Sequence, residues 1–485
     1  MRSAKLSLAG LFRDREFWSA IRKLALPLAM QNLLTSSLAL IDTVMVGSLG
    51  SLSISAVGFA SQVAFFANIV MFGIASGGAV FIAQYWGNND RDGIAKTFGM
   101  TLVCNIPISL TFFLLAFFTP ELMIGIFTDD ALAIAEGARY IKIASFSYLG
   151  VALNQTMSIA LRSTEHVKSP IAVSAVSVVL NALLNYILIF GKLGFEPMGV
   201  EGAAYATAIS ALAAPVLLII ISLIEKNILV APLRKLFGFD SAFVKEFFRR
   251  ATPVLINESL WALGVVGCNM ILGRLGTDNY SALTISRTVE NLAFVFFLGI
   301  CNACNVLVAK NVGAGNIAKA KRHATQFMAL VPMLAIALGL VIILLRGPIL
   351  SVFNITDAER AIAFWLLLIY GCEVGLRNLP YIAVVGVFRA AGDTKIGMKY
   401  DLVFLWFIAL PVTFLCAFVL KLPFVAVYAV MLLCEDIPKT LVCLRRFAGL
   451  KWIMPVTEEG IRGLREYKEE LYAAGTVEGS GAGDK

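Results

Sequence analysis

Six ionisable residues stand out as candidates within the long apolar stretches of this chain: Asp42, Glu258, Arg287, Glu290, Glu373 and Arg377. Placing an ionised side chain in hydrocarbon costs roughly 2.5–3.5 kcal/mol on insertion scales, so each of them needs a partner or a task. Spacing offers partners to four. Arg287 and Glu290 are three apart and Glu373 and Arg377 four apart, so each pair shares a helical face and is expected to neutralise itself. Asp42 has no basic residue within a turn. A buried carboxylate without Lys or Arg must hold a proton or neutralise a bound cation. Asn181 and Asn185, four apart on one helical face, and Thr207 add amide and hydroxyl oxygens, hard ligands suited to Na+. The alternative is that the Asn and Thr side chains only bond neighbouring helices.

Other chemistry is poorly supplied. The two histidines, His166 and His323, are far apart, and the eight cysteines all lie inside apolar runs. Metalloenzyme, acyl-transfer and disulfide frameworks need clusters that this pattern lacks. The Cys301–Cys304 pair has no second pair near it and reads as packing. No Walker motif occurs, so an ATP-driven device is not expected, and neither an enzyme nor an organic cofactor is.

The elements that carry these residues follow from composition. The 485-residue chain is 59% hydrophobic and only 15% charged, with mean hydropathy +0.82. Soluble proteins carry about 25% charged residues, so this chain cannot cover a water-facing surface. Its apolar runs of about 20 residues match a hydrocarbon core of roughly 30 Å. Twelve segments are expected, near 24–46, 54–82, 97–118, 135–160, 169–191, 200–224, 250–272, 281–308, 324–346, 361–388, 399–420 and 422–444. The fold class is thus an all-α polytopic membrane protein. Residues 1–23 mix Leu8, Leu11, Phe12, Trp18 and Ile21 with Arg13, Arg15, Arg22 and Lys23, which predicts an amphipathic helix lying on the membrane surface. Alternate connections hold 23 Lys and Arg against seven on the other side, which places both termini in the cytoplasm of a cell-membrane protein. The formal charge of +8 then reflects topology, not nucleic-acid binding.

An internal repeat organises the chain. At a displacement of 226, Pro27 matches Pro253, Gly47 matches Gly273, Gly73 matches Gly299, Ala83 matches Ala309 and Gly87 matches Gly313; at 227, Arg162 matches Arg389 and Lys168 matches Lys395. The expected division is a surface segment 1–23, an N-lobe 24–227, a basic linker and C-lobe 228–448, and a tail 449–485 whose Gly-rich end reads as disordered. Six segments per lobe is an even number, so the repeat is parallel, about an axis along the membrane normal. Position 268, the equivalent of Asp42, is a cysteine, so the scaffold itself does not demand the carboxylate.

The run from Pro27 through Asp42 to Gly47, the stretch from Asn181 to Gly191, and the paired Leu161–Arg162 and Phe388–Lys395 loops resemble the multidrug and toxic compound extrusion (MATE) family across roughly residues 15 to 450. The resemblance implies a V-shaped pair of six-helix lobes that works by alternating access. It also implies export of organic, often cationic or amphiphilic, drugs in exchange for Na+ or H+. It places Asp42, Asn181, Asn185 and Thr207 at the N-lobe cation site. Pro27 would be the hinge at which segment 1 bends, and Glu258 a coupling carboxylate of one subgroup. Some relatives have aspartate where this chain has Asn185, which leaves the choice between Na+ and H+ open. The expected partners are small organic molecules and membrane lipid, and the chain is expected to act as a monomer. A flippase for a lipid-linked oligosaccharide precursor is the alternative, which would need several cavity Arg or Lys residues to hold pyrophosphate.

Overall fold

The computed structural model describes residues 14–351, 353 and 355–473, without side chains for 37–41, 43, 44, 51, 277 and 278. Leu8, Leu11, Phe12, Arg13 and the end of the tail lie outside the described residues.

The chain opens with α1 (Arg15–Ala20), capped by Asp14, and passes through a wide π-helical turn, Ile21–Ala25, into α2 (Leu26–Gly47). Then come α3 (Ser51–Gly87), α4 (Arg91–Phe118), α5 (Ala131–Ala144), α6 (Ser147–Ser163), α7 (Lys168–Phe190) and α8 (Gly199–Glu225). The second half repeats the series with α9 (Ser241–Gly273), α10 (Thr277–Gly313), α11 (Ile317–Ser351), α12 (Asp357–Tyr381), α13 (Thr394–Asp401) and α14 (Phe424–Ala448). π-helical stretches extend α12 to Phe388 and follow α13. A polar helix, α15 (Glu458–Ala473), ends the described chain.

Counting α5 with α6 as one pass, these helices make twelve. Nine spans among the described residues are long and apolar enough to cross a membrane. The other three passes are α2, the pair α5–α6 interrupted at Ser145–Phe146, and α14, which carries Glu435, Asp436 and Lys439. Outward-facing apolar side chains such as Leu183, Ile220, Leu344 and Phe407 are exposed, as lipid-facing residues should be.

The described part of the N-terminal segment departs from a helix lying on the membrane surface. Phe17 is fully buried and packs edge-to-face on Phe327 of α11, with ring centroids 5.0 Å apart. Asp14 sits 3.2 Å from Arg322, and Lys319 pairs with Glu16 at 2.7 Å. An aromatic knob with flanking charges on α11 holds α1 against the protein by Phe17, while Arg15, Glu16 and Trp18 stay exposed.

The two lobes meet through α2 and α3 on one side and α9 and α10 on the other. The contacts are reciprocal. A Cβ on Gly73 would stand 2.8 Å from the Leu255 Cα, and one on Gly299 would stand 2.5 Å from the Ala29 Cα. Gly73 and Gly299 are 226 apart, as are Ala29 and Leu255, so each lobe offers the same glycine to the same position of the other. Gly77 lies equally close to Ala251, so the small face of α3 serves the junction between lobes.

Candidate functional site

Three elements bring the N-lobe candidates together. Asp42 lies late in α2, Asn181 and Asn185 face inward from α7, and Thr207 and Ser210 come from α8. Residues four apart on α7 stack along one face, so both amides reach the seam with α2 and α8. Asn185 Nδ2 donates to Asp42 Oδ1 at 2.5 Å and to Asn181 Oδ1 at 3.0 Å. Asn181 Nδ2 donates to Ser210 Oγ at 3.2 Å, and Ser210 Oγ donates to the Thr207 carbonyl at 3.1 Å. Donation therefore runs outward from Asn185, to the Asp42 carboxylate on one side and through Asn181 and Ser210 to the Thr207 carbonyl on the other. Asn181 and Asn185 are 3% and 1% exposed, so this network works in a low-dielectric surrounding where each bond counts for more.

Asn185 Oδ1 is buried with no donor among the described residues. Such an orphan oxygen beside a carboxylate fits a hard monovalent cation, and the fourth predicted residue, Thr207, brings a hydroxyl that bonds Tyr140 of α5. Sequence reasoning missed Ser210 and Tyr140. Ser210 is one helical turn beyond Thr207, a spacing that could have flagged it; Tyr140, from another element, had no local signal.

Pro27 stands in the first turn of α2, directly after the π-helical turn, where Leu26 N–H bonds back five residues to Ile21 O. Helical turns precede Pro27, and the wide turn accommodates it because that turn already departs from the regular ladder of bonds that proline cannot join. At 1.5 Å per residue, Pro27 is about 22 Å along the helix from Asp42, so a small change of angle at one end displaces the other appreciably.

Glu258 lies apart from that cluster. Its Oε1 is 2.7 Å from Arg389 Nη2, and Arg389 Nη1 donates to Ser76 Oγ of α3 at 3.0 Å. Arg389, read from sequence as a loop cation, is 3% exposed and turned into the lobe junction. Glu258 thus neutralises a guanidinium that ties the C-lobe to the N-lobe.

The C-lobe region equivalent to the Asp42 site has a different electrostatic makeup. Cys268, at the position matching Asp42, is buried near Glu435, Arg287 and Arg377. Arg287 pairs with Glu290 at 2.7 Å as its spacing predicts, and Tyr428 Oη donates to the other Glu290 oxygen at 2.6 Å. The predicted Glu373–Arg377 pairing does not form: among the described residues no basic side chain bonds the Glu373 carboxyl, which is 3% exposed and faces the Asp436 carboxyl. Its charged neighbours are Asp436, Arg377 and Glu290. Same-face spacing allows a pair without compelling it, and Arg377 here shares its charge among several carboxylates. Lys439 pairs with Asp401 and lies 3.4 Å from Glu435, a set that the sequence reading passed over. The eight cysteines are free thiols, and no cluster of three or more His, Cys, Asp or Glu fit to hold a metal occurs among the described residues.

Comparison with known proteins gives a consistent family. The MatE family model matches residues 27–187 and again 253–415, two starts separated by the same 226 residues as the internal repeat. A protein of Thermotoga maritima named "Probable multidrug resistance protein NorM" is 27% identical over 396 residues, covering 81% of this chain and 84% of its own. The "Uncharacterized transporter YisQ" of Bacillus subtilis is 22% identical over 421 residues, covering 85% and 90%. Among solved structures, a MATE in complex with MaL6 superposes with TM-score 0.81 at 18% identity, covering 91% of this chain and 98% of that one. The eukaryotic MATE transporter AtDTX14 superposes with TM-score 0.78 at 18% identity, covering 94% and 99%.

Proposed function

The chain belongs to the MatE family of membrane transporters, and from that premise we propose that it is a secondary active antiporter, exporting organic, cationic or amphiphilic compounds in exchange for Na+ or H+. The observation that carries the reading is Asp42: its carboxylate is held by the Asn185 amide and has no Lys, Arg or His as a partner among the described residues. A proton or Na+ on Asp42 removes the charge that the amide now stabilises. Ion binding and the α2–α7–α8 hydrogen-bond chain are therefore linked, and the bend region at Pro27 belongs to the same helix. With the basic loops in the cytoplasm, the coupling ion enters and the organic compound leaves. One charge moving down 100 mV supplies roughly 2.3 kcal/mol, enough for a gradient of a few tens-fold at one-to-one coupling.

The test is transport into proteoliposomes under an imposed Na+ or H+ gradient, using an organic cation as the probe. Asp42→Asn is expected to retain binding of the probe, because the amide resembles the protonated carboxyl, and to lose gradient-driven accumulation. Accumulation equal to wild type under either gradient would remove Asp42 from the coupling path.

A further inference from the structure

We propose that the tail segment Trp452–Gly460 is half of a detachable clasp that holds the basic end of the molecule shut, and that the Gln84 side chain is the other half. The segment is fixed to the C-lobe. Met454 N–H donates to the Ala391 carbonyl at 2.8 Å, Arg250 Nη1 donates to the Met454 carbonyl at 2.7 Å, and Thr457 Oγ1 donates to the Gly313 carbonyl at 2.6 Å. Trp452 is fully buried and stacks on Phe447. So anchored, the segment presents one backbone donor to the other lobe: Val456 N–H bonds Gln84 Oε1 at 2.8 Å.

Gln84, from α3 of the N-lobe, is fully buried and bonds in both directions. Its Nε2 donates to the Ala390 carbonyl of the C-lobe at 3.0 Å. The surrounding contact leaves no slack, because a Cβ on Gly313 would overlap the Gln84 backbone and one on Gly87 would overlap the Lys310 carbonyl. Lys310 is the repeat equivalent of Gln84, and it too reaches across, to Glu165 at 2.8 Å. That side of the junction is a half-exposed ion pair, which water and salt can replace. The Gln84 side is dry, and its amide must leave two partners together when the lobes part. A buried amide stripped of both partners pays its desolvation until water enters, so it resists separation at this end alongside the buried Arg389–Ser76 bond. The pseudo-symmetric junction is thus made asymmetric by the tail, which supplies an acceptor-matched N–H that the fold alone lacks.

Spin labels on two exposed positions of the equivalent turns, Arg91→Cys in the N-lobe and Ala318→Cys in the C-lobe, read the separation directly by pulsed electron paramagnetic resonance. The full chain is used with its native cysteines replaced. Gln84→Leu, which keeps bulk and removes both bonds, is expected to raise the population of a longer distance at least about fivefold. Thr457→Val, which removes one of the tail's anchors and leaves Gln84 intact, is expected to raise that population by a smaller factor, and Thr457→Ser to give the wild-type distribution. A retained short-distance peak shows in each case that the variant is folded. If either Gln84→Leu or Thr457→Val gives the wild-type distribution, the clasp is wrong. No substrate or ion gradient is involved, so this outcome is independent of the coupling role of Asp42.

Discussion

Asp42 and Glu258 are both carboxylates within apolar helices, but their partners give their removal opposite consequences. Asp42 leans on a neutral amide, so Asp42→Asn leaves no charge stranded and should unfold at nearly the wild-type temperature. Glu258 faces the buried guanidinium of Arg389, and breaking a buried ion pair from one side costs about 3–5 kcal/mol. Glu258→Gln should therefore melt well below wild type in detergent. Replacing both partners with apolar residues, Glu258→Leu with Arg389→Met, should recover much of the loss, as no charge is then buried alone. An unaltered melting temperature in Glu258→Gln, together with lost transport, would instead make Glu258 a group that exchanges protons. Asn185→Asp belongs to this scale too. It sets a second carboxylate 2.5 Å from the first, so Na+ should raise its melting temperature more than it raises that of wild type, while in Na+-free buffer one of the two acids is harder to ionise. The N-lobe residues were legible because an unpaired acid and two amides at helical spacing are local features. Glu373 was not, since the carboxylates that compete for Arg377 come from α10 and α14, far away in sequence.

Helix existence and order were readable from hydropathy alone, whereas helix ends were shortened. The segment expected near 54–82 is α3, Ser51–Gly87, because polar residues beyond the hydrocarbon limit still continue the helix. What hydropathy cannot provide is the partner of a helix face. The repeat declared Gly73 and Gly299 equivalent without indicating that each would meet the other lobe, because equivalence by sequence displacement says nothing of contact. The structure now makes their roles quantitative. Gly73→Val and Gly299→Val each force side-chain atoms into a backbone 2.5–2.8 Å away, and overpacking of this kind costs about 1–3 kcal/mol. Gly58→Val on the same α3 helix meets nothing within 4 Å and should be neutral or slightly stabilising. Thermal unfolding in one detergent, with all three variants side by side, checks this. Equal losses at Gly73 and Gly58 would mean that helix propensity, not the lobe junction, sets the cost.

At the scale of the whole molecule, the charge distribution and the clasped junction lie at one end. Gln84, Lys310, Arg389, Arg250 and the tail all belong to the side whose connections carry 23 Lys and Arg, against seven on the other. Positive connections tend to stay in the cytoplasm, so the shut end is expected to face the cytoplasm and the connection after α2 to face outward. The N-lobe site would then be reached from outside, the side from which the proposed coupling ion would arrive. Accessibility labelling with a membrane-impermeant thiol reagent tests this orientation. The label sites must avoid the lobe junction: Gly87 has no room for a side chain, whereas Ser48 and Arg91 are exposed at opposite ends of α3. In a cysteine-free background, Ser48→Cys should be modified in intact cells. Arg91→Cys should be modified only in inverted vesicles. The reverse pattern would place the clasp outside and both termini with it, and a coupling ion entering the cell would then meet the closed end first. Both the orientation and the direction of exchange proposed for Asp42 would fall together.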